Sequence, residues 1–249
     1  MSIELVNFSK SYSSRKNAAF AVKNVNMTCK DGEIAGILGL NGAGKTTILK
    51  AVCARHFATG GKVLVNGIDV QDESERVRSL TGFVMEQPLF QSELFVCEYL
   101  AQIAALHGIY DTKEKQSLAE AMSKVKKLCS LDSVWSKKIG SLSKGFRERL
   151  NFAQALIYDP PVLVLDEPAS GLYPSQILKM RALVQSLKKN HTILLSTHLM
   201  QEVAALCDSV YIIDNGQCVA FGTPDSIAAE NNCKTLEEAF FKLTKESEA

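Results

Sequence analysis

The most specific chemistry in this 249-residue chain lies in a glycine-rich run, Gly39-Leu40-Asn41-Gly42-Ala43-Gly44-Lys45-Thr46-Thr47. It fits the pattern GxxxxGK[ST] and sits between an apolar stretch, EIAGILGL, and a helix-like one, TTILKAVCARHF. Glycines let a backbone wrap phosphate oxygens with its N–H groups turned inward, and the helix that follows adds the positive end of its dipole. In such a loop Lys45 reaches the β- and γ-phosphates, and the Thr46 hydroxyl ligates Mg²⁺. A chance glycine turn matches the string but does not require a strand before it and a helix after it.

The second chemical signal is Val162-Leu163-Val164-Leu165-Asp166-Glu167, an apolar strand that ends in adjacent carboxylates. At the C-terminal end of a parallel strand one carboxylate can face a metal and its neighbour an attacking water. Asp166 is the metal-side candidate and Glu167 the general base. A third segment, Leu142-Ser143-Lys144-Gly145-Phe146-Arg147-Glu148-Arg149, opens a helix upstream of that strand. Ser143 alone reads as a helix N-cap. Its place in the order of motifs asks for more.

The elements that must position these groups follow from hydrophobic spacing. IELVNF and AFAVKNVNMTC read as N-terminal strands, KVLVNG and TGFVMEQ as further ones. From Ser92 to Asp159 the pattern turns helical, in SELFVCEYLAQIAALHGI, TKEKQSLAEAMSKVKKLCSL and FRERLNFAQALIYD, the last closed by Pro160-Pro161. Alternation then returns. VLVLDEP is a strand, PSQILKMRALVQSLKKN a helix, TILLSTHL a strand, LMQEVAALC a helix, and SVYIIDNGQCVAFG a hairpin. Ile177, Met180, Leu183, Val184 and Leu187 form one apolar stripe on the first of those helices. Strands alternating with helices predict a mainly parallel sheet covered on both faces. The expected class is therefore α/β: a P-loop NTPase core with a mainly parallel sheet, an N-terminal antiparallel β-subdomain and an inserted α-helical subdomain. Residues 1–91 and 160–249 would form the core, and 92–159 the helical subdomain.

The phosphate loop and the acidic strand suit kinases, GTPases and helicases equally. With LSKGFRERL between them, the chain resembles the ABC ATPases, whose signature has the form LSGGQ. The resemblance spans nearly the whole chain. It implies that Ser143 and Gly145 bind the γ-phosphate of ATP held by an opposing subunit. It also implies that Tyr12 stacks on adenine, that Gln87 touches magnesium and reports nucleotide state to the helical insert, and that His198 contacts the γ-phosphate. ATP and Mg²⁺ are then the ligands. The partners are an integral membrane permease subunit and a second ATPase subunit, either another copy or a paralogue. The segment Pro88, Leu89 and Phe90 beside Gln87 would meet the permease. The Lys144 and Phe146 variant and the tail from Leu236 to Thr244 are similar to the exporter branch, which covers drug, polysaccharide, sodium and gliding-motility systems. An importer ATPase is the near rival. The known translation ABC ATPases carry two cassettes, and the DNA-repair types need a long coiled coil that Thr47–Leu142 has no room for.

One position departs from the family. Where SGLDP is expected, the chain has Ser170-Gly171-Leu172-Tyr173-Pro174. Tyr173 cannot make the charge-assisted hydrogen bonds of an aspartate and is far larger. Either its neighbours compensate, or the sites turn over slowly or unequally. A regulatory module without turnover is countered by Lys45, Asp166, Glu167 and His198.

Composition bounds the rest. With 28 basic and 27 acidic residues the net charge is +1, which argues against a nucleic-acid partner. The seven cysteines are scattered and never form a CxxC pair, so reduced, packed thiols are expected. No apolar run approaches the roughly 18 residues of a membrane span, and no signal peptide is visible. The expected location is the cytoplasm, peripheral on the cytoplasmic face of the cell membrane. The transported substrate is not legible in the chain.

Overall fold

The structure, a computed structural model, describes residues 3–13, 19–110 and 118–245. The chain begins with β1 (Ile3–Ser11), β2 (Phe20–Cys29) and β3 (Ile34–Leu38), then α1 (Lys45–Val52), β4 (Gly60–Val65), β5 (Ile68–Asp69), α2 (Ser74–Leu80) and β6 (Thr81–Val84). The helical part holds α3 (Val96–Leu106), α4 (Leu118–Leu128) and α5 (Lys144–Leu156). It is followed by β7 (Val162–Asp166), α6 (Pro174–Leu187), β8 (Thr192–Thr197), α7 (Met200–Leu206), β9 (Ser209–Asp214), β10 (Gln217–Gly222), α8 (Pro224–Glu230) and α9 (Leu236–Lys245).

Two sheets organise these elements. The smaller has the order β2-β1-β4-β5 and is antiparallel throughout. The larger has the order β10-β9-β3-β8-β7-β6, parallel except for the β9–β10 hairpin. That hairpin turns at Asn215-Gly216, whose φ values of 46° and 76° suit a tight turn matched to strand twist.

In the larger sheet β3, β6, β7, β8 and β9 are buried along their whole length, which explains their continuous apolar runs, while the edge strand β10 is partly exposed. Val162 and Val164 of β7 pack with α1 and the antiparallel sheet, whereas Leu163 and Leu165 pack with α3 to α6. Of the stripe on α6, Met180, Val184 and Leu187 are buried, and Ile177 and Leu183 flank them half-buried. The tail helix α9 buries Leu236, Ala239 and Phe240 against Leu38, Val210 and Ile212.

Some bounds differ from expectation for local reasons. The helix after the phosphate loop stops at Val52, not Phe57, because Ala54 adopts φ 52° and the N–H of Arg55 closes onto the Lys50 carbonyl at 2.9 Å. Helix α3 begins at Val96 rather than Ser92. The Glu98 carboxylate caps the Phe95 N–H at 3.1 Å, and the Val96 N–H is taken by Lys137 O. The start of the expected second insert helix, 112–117, lies outside the described residues. Helices α2 and α8, of 7 residues each, add to the elements expected from the sequence. Among the described residues no helix is long and apolar enough to cross a membrane.

Candidate active site

The site assembles at the C-terminal ends of β3, β7 and β8, which lie side by side in parallel register, with Leu38 opposite Thr197 and Asp166 opposite Ser196. Each strand runs straight into a loop that carries a polar group. Leu38 leads to the glycine loop, Leu165 to Asp166 and Glu167, and Thr197 to His198. Chain order along the strands therefore converts three distant segments into one cluster.

The loop after β3 requires glycine in its backbone. Gly44 caps α1 at φ 108°, and a Cβ there would lie 2.7 Å from the Ala21 carbonyl oxygen. A Cβ on Gly39 would lie 2.4 Å from the carbonyl oxygen of Ile213, so the loop threads between neighbouring backbones. Leu40, Asn41 and Gly42 are exposed at its crest, while Ala43 is buried beneath. The Lys45 ammonium turns back into the loop, donating to the carbonyls of Gly39 (2.8 Å) and Leu40 (3.2 Å). It also pairs with Glu167 Oε1 at 3.0 Å.

The two carboxylates have distinct surroundings. Asp166 Oδ1 accepts from Ser196 Oγ (2.7 Å) and Thr46 Oγ1 (3.3 Å). Burial holds the Asp166 carboxyl above the usual aspartate range; those two hydroxyls and Lys45 oppose the shift, and the neighbouring Glu167 charge adds to it. Glu167 sits at φ 48°, a conformation that aims its carboxylate away from the strand line. Its Oε2 lies 2.8 Å from His198 Nδ1 and 3.3 Å from the His198 backbone N–H. Ser196 was not found from the sequence. It donates to Asp166 and accepts the Glu167 N–H at 3.1 Å, so one hydroxyl orients both acidic residues. A serine inside an apolar strand carried no pattern that could have revealed it.

Beside the loop, the Tyr12 hydroxyl lies 3.1 Å from Thr47 Oγ1 and 3.2 Å from His56 Nε2. Tyr12 is 65% exposed, its ring edge-on to His56 and with the Lys10 ammonium 5.4 Å from the ring centroid. Gln87 is exposed in the loop after β6 and, among the described residues, makes no hydrogen bond or ion pair. Ser143 and Gly145 do not join the cluster either. They open α5 and line a groove of about 580 Å³ with Phe146, Leu172 and Met180. Gly145 packs so tightly on Gln176 that a Cβ would come within 2.3 Å of the amide nitrogen. Tyr173 is the N-cap of α6, 75% exposed, its N–H donating to Gln176 Oε1 at 3.2 Å.

The residues present fit a divalent cation. Thr46 and Asp166 offer hard oxygen donors, and two buried carboxylates face a single lysine, leaving negative charge that a cation would neutralise.

A family model described as ABC transporter matches residues 22–170. The chain is 31% identical to ABC transporter ATP-binding protein NatA of Bacillus subtilis, over 96% of each. It is 33% identical to the probable multidrug ABC transporter ATP-binding protein YbhF of Escherichia coli, over 90% of this chain and 39% of that protein. Among solved structures, an ATP-binding subunit of an ABC transporter superposes with a TM-score of 0.86 at 27% identity, covering 98% of this chain and 100% of its own. A dimeric ATP-binding cassette in a post-hydrolysis state, bound to ADP and Pi, gives 0.79 at 25% identity over 89% and 98%.

Proposed function

This chain belongs to the ABC transporter family and is an ATP-binding subunit with ATPase activity, and on that premise we propose that it powers export through a separate membrane subunit. The observation that carries the reading is the convergence of Lys45, Thr46, Asp166, Glu167 and His198 at adjacent strand ends. The export direction is supported by the Lys144 and Phe146 variant of the signature and by the amphipathic tail α9.

In the proposed cycle, residues 1–91 and 160–249 form the ATP-binding core, and 92–159 form a helical subdomain that carries the signature. Two copies, or this chain and a paralogue, sandwich two ATP molecules head to tail. Each nucleotide lies between the Gly39–Thr47 loop of one chain and the Ser143–Phe146 segment of the other. The separation of Ser143 and Gly145 from their own chain's cluster supports such an arrangement. The γ-phosphate contributes contacts that exist only in the closed pair, which is what allows ATP to shift an open/closed equilibrium.

For hydrolysis, Lys45 leaves its loop carbonyls for the β- and γ-phosphates, and Tyr12 takes the adenine. Thr46, Asp166 and Gln87 would hold Mg²⁺, which when bound neutralises charge on the phosphate oxygens. Glu167 orients the attacking water and accepts its proton, while Lys45 and His198 stabilise the developing phosphoryl charge. The permease would dock on the groove of about 470 Å³ lined by Pro88, Leu89, Phe90 and Ile139, where Leu89 is 94% exposed. The chain would thus work on the cytoplasmic face of the membrane.

The test is ATP turnover by the purified chain beside Glu167→Gln, with sizing in Mg-ATP. The expected result is hydrolysis by the wild type and an ATP-dependent dimer for the variant. A chain that binds ATP yet neither turns over nor dimerises would overturn the self-sufficient motor.

A further inference from the structure

A fully buried asparagine joins the signature helix to the loop that carries Gln87. Asn151, on α5, has no exposed surface. Its amide nitrogen donates to the Met85 carbonyl at 2.7 Å and to Glu148 Oε1 at 3.2 Å. Its amide oxygen accepts from the Met85 N–H at 3.4 Å and from Gln154 Nε2 at 2.9 Å. Two donors and two lone pairs are all the side chain has, and all are engaged. The chain continues through Gln154, whose Oε1 accepts from the Tyr99 hydroxyl on α3.

Met85 directly follows β6, the outermost strand of the large sheet. Its N–H and C=O have no neighbouring strand to pair with. The Asn151 amide pairs with both, as the peptide group of a further strand would, but it is borne on a helix that begins at Ser143 and Lys144. Of the other buried positions on α5, Leu150, Phe152, Ala153, Ala155 and Leu156 are apolar, and Gln154 is polar and bonded to Asn151 itself. Packing alone would be met by another apolar residue. A buried amide at this point exchanges packing for a directional link.

We propose that Asn151 is a positioning residue for ATP hydrolysis: its amide fixes the Met85 backbone, two residues before Gln87, to the signature helix, so that nucleotide state at Gln87 and the placement of Ser143 change together. The inference rests on the proposed role of Gln87. A displacement at Gln87 reaches Met85 along a short stretch of backbone, and from Met85 it reaches α5 through a contact with a single geometry. Among the described residues, the other anchors of residues 85–90 are the half-buried side chains of Met85, Pro88 and Phe90.

The experiment compares wild type, Asn151→Ala, Asn151→Asp and Gln87→Ala as full chains. Asn151→Asp keeps the shape and the acceptors but cannot donate to the Met85 carbonyl. Each variant is measured for ATP affinity, turnover, melting temperature and hydrogen exchange at residues 85–90 with and without Mg-ATP. For both Asn151 variants ATP affinity should stay within about twofold, because the phosphate loop is untouched. Turnover should fall by about tenfold to a hundredfold, the scale of a catalytic group misplaced by about 1 Å. Exchange at 85–90 should quicken and cease to respond to Mg-ATP. A lowered melting temperature with wild-type turnover and wild-type exchange at 85–90 overturns the proposal, since Asn151 is then structural only. Gln87→Ala turning over at the wild-type rate overturns the underlying role of Gln87. A slow Gln87→Ala beside Asn151 variants at the wild-type rate overturns the link alone.

Discussion

Replacing Glu167 by Gln should lower turnover and tighten ATP binding together, a pair of effects that simple damage to the site does not produce. In the structure Lys45 lies 3.0 Å from Glu167 Oε1, with the side chains 6% and 8% exposed. In the proposed cycle Lys45 leaves this partner to meet the phosphates. At that separation and an effective dielectric of about 20 the attraction is roughly 5 kcal/mol before desolvation is counted. Desolvation of the buried pair, and the phosphate charge that replaces the carboxylate, offset most of it. A net cost of about 1 kcal/mol for releasing Lys45 corresponds to about fivefold in Kd. Glu167→Gln keeps the side-chain shape and an acceptor for His198 Nδ1, but removes the charge. ATP should therefore bind about fivefold tighter, while loss of the base lowers kcat by about 10²–10⁴-fold. Calorimetric titration with Mg-ATP and single-turnover phosphate release measure the two quantities separately. Weaker ATP binding by the variant would sink the idea that Glu167 restrains Lys45. Turnover near the wild-type rate would remove Glu167 as the base.

Three further outcomes follow from the same geometry. Ser196→Ala removes the donor to Asp166 Oδ1 at 2.7 Å and one acceptor of the Glu167 N–H. It should cost about 1–2 kcal/mol of stability by denaturant titration and raise the Mg²⁺ concentration for half-maximal turnover; an unchanged Mg²⁺ dependence would show that Ser196 does not orient Asp166. Tyr173→Asp places a capping carboxylate where Tyr173, 75% exposed, gives α6 no side-chain cap. Stability should rise by about 0.5–1 kcal/mol with turnover within about twofold, whereas a tenfold rise in turnover would mean that Tyr173 weakens the site. Burial pushes the Glu148 carboxyl up from 4.5 to about 7, with Asn151 and Lys144 partly opposing. Between those values the folded state keeps a proton that the unfolded state has lost. Stability from this group is thus full below about pH 4.5 and declines toward pH 7, by at most about 3 kcal/mol. Glu148→Gln should flatten that decline in denaturant titrations from pH 5 to 8, and an equal slope in both chains would assign it to another group.

By itself the sequence determined the local chemistry and the elements that carry it. Gly39–Thr47, Asp166 with Glu167, and the start of α5 at Ser143 are contiguous segments. Their backbone conformations follow from glycine content, apolar runs and caps, so a strand, a loop and a helix start were legible without any distant contact. The β9–β10 hairpin was readable for the same reason, because Asn215-Gly216 selects its turn. What the tertiary structure alone decided is the set of contacts made across the fold. Lys45 meets Glu167, Ser196 meets Asp166, Tyr12 meets His56, and Asn151 meets Met85, each pair far apart in the chain. Serine in a buried strand, or asparagine in a buried helix, shows no periodicity that names its partner. Its partner is set by strand order and by how the helical insert lies against the sheet edge. Burial then determines the chemistry of each contact, because a hydroxyl or amide excluded from water has to take the nearest polar group that the packing brings to it.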